Sequence, residues 1–573
     1  MISYKHITKI IGVMMAAAVA FCFWVMASSQ EAVEALGGVR VPMAYEAALF
    51  DTDELIQIDI QMEQEEWEEM LDNAIAEEYY ACDVLINDQK LYNVGVRPKG
   101  NTSLSSIASN PDSDRYSLKL EFDHYVDGQT CLGLDKLILN NNYADATNMK
   151  EAVVYDMYQY LGADASLYNY AEISLNGEYL GVYLALEAVE ESFLMRNYGT
   201  VEGELYKPDS MQMGGGSGGG GFGGRPTRPE DAGDAAGKER WQAGEDGQPA
   251  PGGEGFAAYM EGRETEKDVP ADREEPDFAG GMPQSGEDFN FAAGDERKRP
   301  EMGRMPGKDS SMGGENGANL NYTDEELDSY SDIWEGEVTS TGKADHSRVV
   351  TALRHISEGT DLETYLDVDN ILKYMAVHAF SVNLDSLSGN MAHNYYLYEH
   401  NGVLNILPWD YNLAFGGMNH GSEGGASEVV NDAVDTPFAG TAFFDALLEN
   451  EAYLSRYHEY LRQLAQTYVL DGRFQEVYQG IRSRIDTLVE TDPTALYSYE
   501  EYEAGAEMLY QTVLLRAESV KGQIDGAIPA TDEEQRADAA NLVDASEIDI
   551  SVMGAMDMGK GGERKSARAA DGR

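Results

Sequence analysis

Asn383-Leu384-Asp385-Ser386, His393-Asn394-Tyr395-Tyr396-Leu397-Tyr398 and Leu407-Pro408-Trp409-Asp410-Tyr411-Asn412 form the densest run of chemically capable residues in this chain. Ahead of them, 368–383 reads as an apolar helix, while 395–399 and 403–407 read as strands. Asp385 therefore stands at a helix end and Asp410 just past a strand, 25 positions later. Such placement projects two carboxylates from rigid elements toward one mouth.

Two carboxylates and an amide are the parts that phosphoryl transfer requires. One carboxylate orients or accepts a hydroxyl proton, and the other joins an amide oxygen in holding a divalent cation against phosphates. Asp385, Asp410 and Asn390 supply these parts, with Asn394 as an alternative amide. Five positions separate Asp385 from Asn390, the spacing of the Asp and Asn in the ordinary kinase catalytic loop. His393 reads either as a hydrogen-bond partner of the Asp385 region or as a packed residue beside its aromatic neighbours.

Upstream, alternating apolar residues mark strands over 55–62, 79–86, 90–96, 116–122, 136–139, 171–175 and 179–186. Asn176-Gly177 between the last two is a hairpin signal, because both turn positions require positive φ. Helices are expected over 63–74 and 147–162, the second stopping at Gly162. Downstream of 323 helical periods dominate, including 347–358, with a glycine-rich loop at 416–425. The fold class expected is α+β: a β-rich lobe over 45–208 and a mainly helical lobe over 321–525. Between them, 209–320 is rich in Gly, Pro, Met, Asp, Glu and Arg, a composition that cannot offset its ordering entropy by burial. It reads as a disordered insertion, and 526–573, basic at its end, as a mobile tail.

Composition limits the partners. With 102 acidic against 41 basic residues the formal net charge is −61, which argues against nucleic acid as a partner. An anionic substrate has to reach its pocket through a local basic patch or with divalent cations. Residues 1–30 carry Lys5 and Lys9 ahead of an apolar run over 10–27, the pattern of a signal peptide or an uncleaved membrane anchor. The chain is thus expected to be exported, to the extracellular space, cell surface or membrane. Beyond that segment only Cys82 and Cys131 remain, so disulfides are not the framework of the fold.

Five segments carry a resemblance. Arg97-Pro98-Lys99-Gly100-Asn101-Thr102-Ser103, Leu139-Asn140-Asn141-Asn142-Tyr143-Ala144-Asp145, Asn176-Gly177-Glu178-Tyr179-Leu180-Gly181-Val182-Tyr183, the His393 stretch and Pro408-Trp409-Asp410-Tyr411-Asn412 occur in that order. Together they resemble the spore coat protein H (CotH) family of atypical protein kinases. The resemblance implies a two-lobed kinase-like fold using ATP and Mg²⁺ (or Mn²⁺) to phosphorylate Ser or Thr of a coat or surface protein. It also implies that Asp385 is catalytic and Asp410 binds metal. The motifs depart from ordinary kinases: Leu384 replaces the Arg before the catalytic Asp, Asp410 lacks a following Phe-Gly, and no Walker motif occurs.

Chain order suggests the remaining nucleotide contacts. Gly100, Asn101 and Ser103 are candidates for a flexible turn over phosphates, Lys119 for the strand lysine and Glu151 for its helix partner, with Lys99 a rival to Lys119. A second class of function is a non-catalytic coat, surface or adhesion protein with a kinase-like fold, prompted by the export signal and the scarcity of ATP outside cells.

Overall fold

The computed structural model describes residues 40–208, 316–388, 392–418, 425–438 and 441–556. Residues 1–39, most of the Gly-rich stretch 209–320, Asn390, much of 416–425 and residues 557–573, on which the expected signal segment, insertion, amide ligand, glycine-rich loop and basic end fall, lie outside the described residues.

Alternation builds the first sheet. In β1 (Ile56–Gln61) Ile56, Ile58 and Ile60 are buried while the residues between them face outward, because side chains alternate across a strand. β2 (Tyr80–Ile86), β3 (Gln89–Lys99), β4 (Ser117–Glu121), β5 (Lys136–Asn140), β6 (Tyr168–Leu175) and β7 (Glu178–Glu187) complete a closed barrel in the order β1-β2-β3-β4-β5-β7-β6. Neighbours are antiparallel except β1 and β6, which run parallel with Ile56 opposite Ala171 and Ile58 opposite Ile173. That single parallel pairing closes the barrel and leaves no sheet edge exposed. Asn176 (φ 52°) and Gly177 (φ 82°) form the β6–β7 hairpin as their residue types require.

Two cores share this wall. Val84, Val96, Leu118, Leu120, Leu137 and Leu139 fill the barrel interior. On the outer face Ile138, Tyr168, Tyr170, Val182, Leu184 and Leu186 join the helices in a larger core. Strands β5 to β7 are therefore apolar on both faces, which explains the near-continuous apolar run at 179–186. The helix Lys150–Leu161 lies against that outer face, almost wholly buried, and stops at Gly162 in the left-handed region (φ 67°). Cys82 and Cys131 are buried free thiols in the barrel half. Burial raises the Cys82 thiol to about 12 and that of Cys131 to about 11, so both are inert at neutral pH.

The second sheet has three strands in the order β10-β9-β8: β8 (Glu204–Tyr206), β9 (Tyr395–His400) and β10 (Val403–Pro408). It packs with the helices Lys343–Ser357 and Val368–Ser381 in the larger core. β8 escaped the sequence reading because three residues carry almost no periodicity and their partner, β9, lies nearly two hundred positions away.

Two expected boundaries move. Residues 316–320, assigned to the insertion, are part of the body: Ala318 and Leu320 are buried, and Tyr395 OH donates to the Ala318 carbonyl at 2.5 Å. The tail expected to be mobile from 526 is packed as far as 556. Its helix Asp532–Ala537 and the 3₁₀ turn Ile550–Met553 are formed, Met553 is buried, and its carbonyl accepts from Ala146 N at 3.1 Å. Ile550 and Met553 join the larger core with the helix Tyr499–Ile524, Ile528 and Ala545 are buried as well, and Val543 N donates to Asn431 Oδ1 at 2.9 Å. Among the described residues no helix is long and apolar enough to cross a membrane.

Candidate active site

The site begins where strands and helices end. The helix Val368–Ser381 stops at Val382, held in the left-handed region at φ 49°, and the chain turns into Asn383. The Asn383 amide nitrogen donates to the Asp410 carbonyl at 3.2 Å, and its oxygen accepts from Asp385 N, also at 3.2 Å. One side chain thus ties the two acidic stretches together. Asp385 is buried; His393 Nε2 lies 2.6 Å from its Oδ1, and Asn394 Nδ2 donates to its Oδ2 at 3.1 Å and its carbonyl at 2.9 Å. His393 is therefore both packed and bonded to Asp385.

Asp410 follows β10 with φ 63°, and Ala392 and Asn394 are also left-handed at 45° and 57°. Non-glycine residues seldom adopt that region, and its recurrence here marks backbone held to shape by surrounding packing. The half-buried Asp410 carboxyl is raised above the ordinary carboxylate range by burial first. Lys99 opposes the rise most strongly, Asp385 adds to it, and Lys207 and His393 oppose it. All four groups lie within electrostatic reach of the Asp410 carboxyl.

Strand register separates the two lysines. In the β3–β4 pair Arg97 stands opposite Lys119 and Lys99 opposite Ser117, all on the face away from the barrel interior. Lys99, at the strand end, donates to Asn140 Oδ1 at 3.3 Å, while Asn140 Nδ2 donates to Glu151 Oε2 at 2.8 Å. Asn140 thereby couples Lys99 to the glutamate in the first turn of the helix Lys150–Leu161. Glu151 is raised to about 8, by burial first and by Asp410 next; Lys99 is lowered by burial, with Asp410 and Glu151 opposing.

Lys119 does not meet Glu151. It pairs with Glu190 at 2.9 Å, a carboxylate it shares with Lys136. Burial works to raise Glu190, but these two lysines win and hold it at about 2. The expected Lys119–Glu151 pair is corrected on this point, since two residues of register carry Lys119 away from the helix N-terminus. The 100–103 segment is also not an open turn. Gly100 (φ 134°) leads at once into the helix Thr102–Ala108, which Leu104 and Ile107 anchor in a small core with Tyr116. Asn101 immediately precedes that helix and Ser103 lies within its first turn, so both adjoin Lys99 along the chain.

Sequence reasoning missed Asn140 and Asn383 as connectors, although both lay in quoted motifs. It also missed Lys207, which carries no local signal. Trp409, buried, receives Lys99 at 5.6 Å and Lys207 at 5.4 Å from its ring centroid, and Tyr396 meets it edge-on at 5.4 Å.

Among the described residues no three His, Cys, Asp or Glu side chains cluster to hold a metal ion alone. The donors at hand are two carboxylates and the Asn394 amide, hard oxygen ligands. That set fits a magnesium-like ion, which takes one or two carboxylates and completes its shell with waters and phosphate oxygens. The buried Tyr155 hydroxyl, which lacks a partner, lies within electrostatic reach of Glu151, Asp410 and Tyr396. A polar orphan at this position fits a site that receives a further polar group.

The CotH kinase protein family matches residues 96–245 and 304–520, more than half of the chain. The chain belongs to the CotH kinase family. Both matched stretches hold the site, with Lys99, Asn140 and Glu151 in the first and Asp385, Asn394 and Asp410 in the second. Among curated relatives, the inner spore coat protein H of Bacillus subtilis (strain 168) is 22% identical over 167 residues. That alignment covers 29% of this chain and 43% of the relative, so the chain spans less than half the length of the curated protein it matches.

Proposed function

We propose that this CotH-family protein is an ATP-dependent kinase that phosphorylates Ser or Thr hydroxyls of a coat or surface protein. The single observation supporting this reading most directly is the Asn383 bridge. It ties the Asp385 backbone amide to the Asp410 carbonyl, while Lys99, coupled to Glu151 through Asn140, is the group that most strongly opposes the rise of the Asp410 carboxyl. On this reading the barrel half and the helical half are the two lobes of a kinase-like fold. The relative's spore-coat name and the signal-like leader support export to a coat, cell surface or membrane-tethered position.

A bound nucleotide with Mg²⁺ or Mn²⁺ would supply the γ-phosphoryl group and neutralise its developing charge. Asp410 and Asn394, with Asn390, would hold the ion; Lys99 would contact phosphate oxygens, and Gly100, Asn101 and Ser103 would border them. Asp385 orients the acceptor hydroxyl and takes up its proton, a role that requires a carboxylate in fixed position. His393 and Asn394 supply that fixation. Glu151, reached through Asn140, keeps Lys99 aimed across the strand end.

Incubation of the purified chain with Mg²⁺ or Mn²⁺ and labelled ATP is expected to label the chain or an added acceptor protein. Asp385→Asn and Asp410→Asn are each expected to abolish the label, and undiminished labelling in both variants would reject the assignment. A non-catalytic coat role, favoured by the relative's name alone, predicts instead a folded protein without affinity for ATP and divalent metal.

A further inference from the structure

Lys207 belongs to no sequence motif, yet its ammonium stands over two aromatic rings of the site. It lies 5.4 Å from the Trp409 centroid and 5.6 Å from that of Tyr396, within cation–π range. Lys99 approaches the same Trp409 ring at 5.6 Å. Both ammonium groups also lie within electrostatic reach of Asp410.

The backbone fixes this position. β8 pairs with β9 through Tyr206 opposite Leu397, and one residue later Lys207 N donates to the Gly336 carbonyl at 2.7 Å. Val338 N adds a bond to the Leu205 carbonyl at 2.9 Å. Gly336 has no space for a side chain. A Cβ there would stand 2.6 Å from the Lys207 carbonyl carbon, closer still to its oxygen, and 3.1 Å from Pro208 N. Glycine is demanded by backbone approach, and that approach sets where the lysine leaves the chain.

A chain of net charge −61 repels anions at long range. Two ammonium groups from separate backbone segments approach one ring and offset the acidic groups there. Two ammonium groups near one ring offer two points of contact, which a run of phosphates can engage together and a single phosphate less fully. From this we infer that Lys207 is a second phosphate-contacting residue, selecting a triphosphate over a monophosphate, and that Gly336 is the residue positioning it. The inference rests on the nucleotide reading of the site given above.

Calorimetry of the full chain with Mg²⁺ and, separately, ATP, AMP and inorganic tripolyphosphate tests it. Lys207→Met is expected to weaken ATP and tripolyphosphate by roughly tenfold or more, as for loss of a charged hydrogen bond, and AMP by less than about twofold. Gly336→Ala keeps the charge but displaces it, and is expected to weaken the same two ligands selectively; Lys207→Arg is expected to retain part of the affinity. Circular dichroism melts check folding, and if Gly336→Ala unfolds, Lys207→Met decides alone. Unchanged ATP and tripolyphosphate binding in Lys207→Met, with wild type binding both, would overturn the role of Lys207 and leave the nucleotide reading standing. Loss confined to AMP would overturn it as well. Wild-type protein that binds none of the three removes both together.

Discussion

Replacing Lys99 and Lys119 one at a time by Met separates the two lysines that sequence order could not. Lys99 is coupled to Glu151 through Asn140 and acts on Asp410, whereas Lys119 is held by Glu190. A lysine bonded to phosphate contributes about 1.5–3 kcal/mol as a charge-assisted hydrogen bond, so Lys99→Met should weaken Mg–ATP binding by roughly 10- to 150-fold. Lys119→Met removes one of two cations on Glu190 in a partly exposed pair, costing about 0–1 kcal/mol of stability and leaving nucleotide affinity within about twofold. Stability adds a second signature. Removing the Lys99 ammonium relieves its own burial cost but takes from Asp410 its strongest counter-charge, so Lys99→Met should lower the melting temperature only modestly. The assay is calorimetric titration of Mg–ATP into each variant, paired with thermal unfolding of the ligand-free proteins. If Lys119→Met lost the affinity and Lys99→Met kept it, the register argument would fail. A collapse in stability of Lys99→Met would show instead that the lysine serves the fold.

Three further outcomes are expected. Asp492 anchors buried Arg115 at 2.8 Å and also accepts from Val182 N at 3.1 Å; Asp492→Ala would strand the guanidinium and cost about 3–5 kcal/mol, read by urea denaturation. His378 is buried and burial lowers it from 6.5 to about 3, so the folded state keeps it neutral while the unfolded chain takes up a proton below 6.5. Its contribution is full above the unfolded value and shrinks as pH falls, by about 2 kcal/mol near pH 5. The difference between wild type and His378→Gln in stability measured from pH 7 to 5 isolates that term, and parallel curves would refute it. Gly177 has φ 82° with open space around its α-carbon. Gly177→Ala should therefore cost about 1 kcal/mol from backbone strain alone, visible as a lower denaturation midpoint with an unchanged slope.

Much of the local structure was legible because it is local. Ile56, Ile58 and Ile60 alternate, Asn176-Gly177 admits few turns, and Gly162 ends a helix whose apolar residues precede it, so each element follows from a few neighbouring side chains. Asp385 and Asp410 stood out for the same reason, each at the end of an element the periodicity had already outlined. What remained hidden depends on residues far apart in the chain. Closure of the barrel rests on β1 meeting β6 in parallel, the seating of Met553 on an apolar surface built by a different helix, and the three residues of β8 on a partner supplied by β9. The choice between Lys99 and Lys119 turned on strand register. A strand discloses which residues share a face, but not which end of that face meets Asn140 and Glu151; packing of the helix Lys150–Leu161 against the barrel decided that. Lys207 is the extreme case: one lysine without pattern, aimed by a glycine 129 positions later, because only the folded backbone brings Gly336 against it.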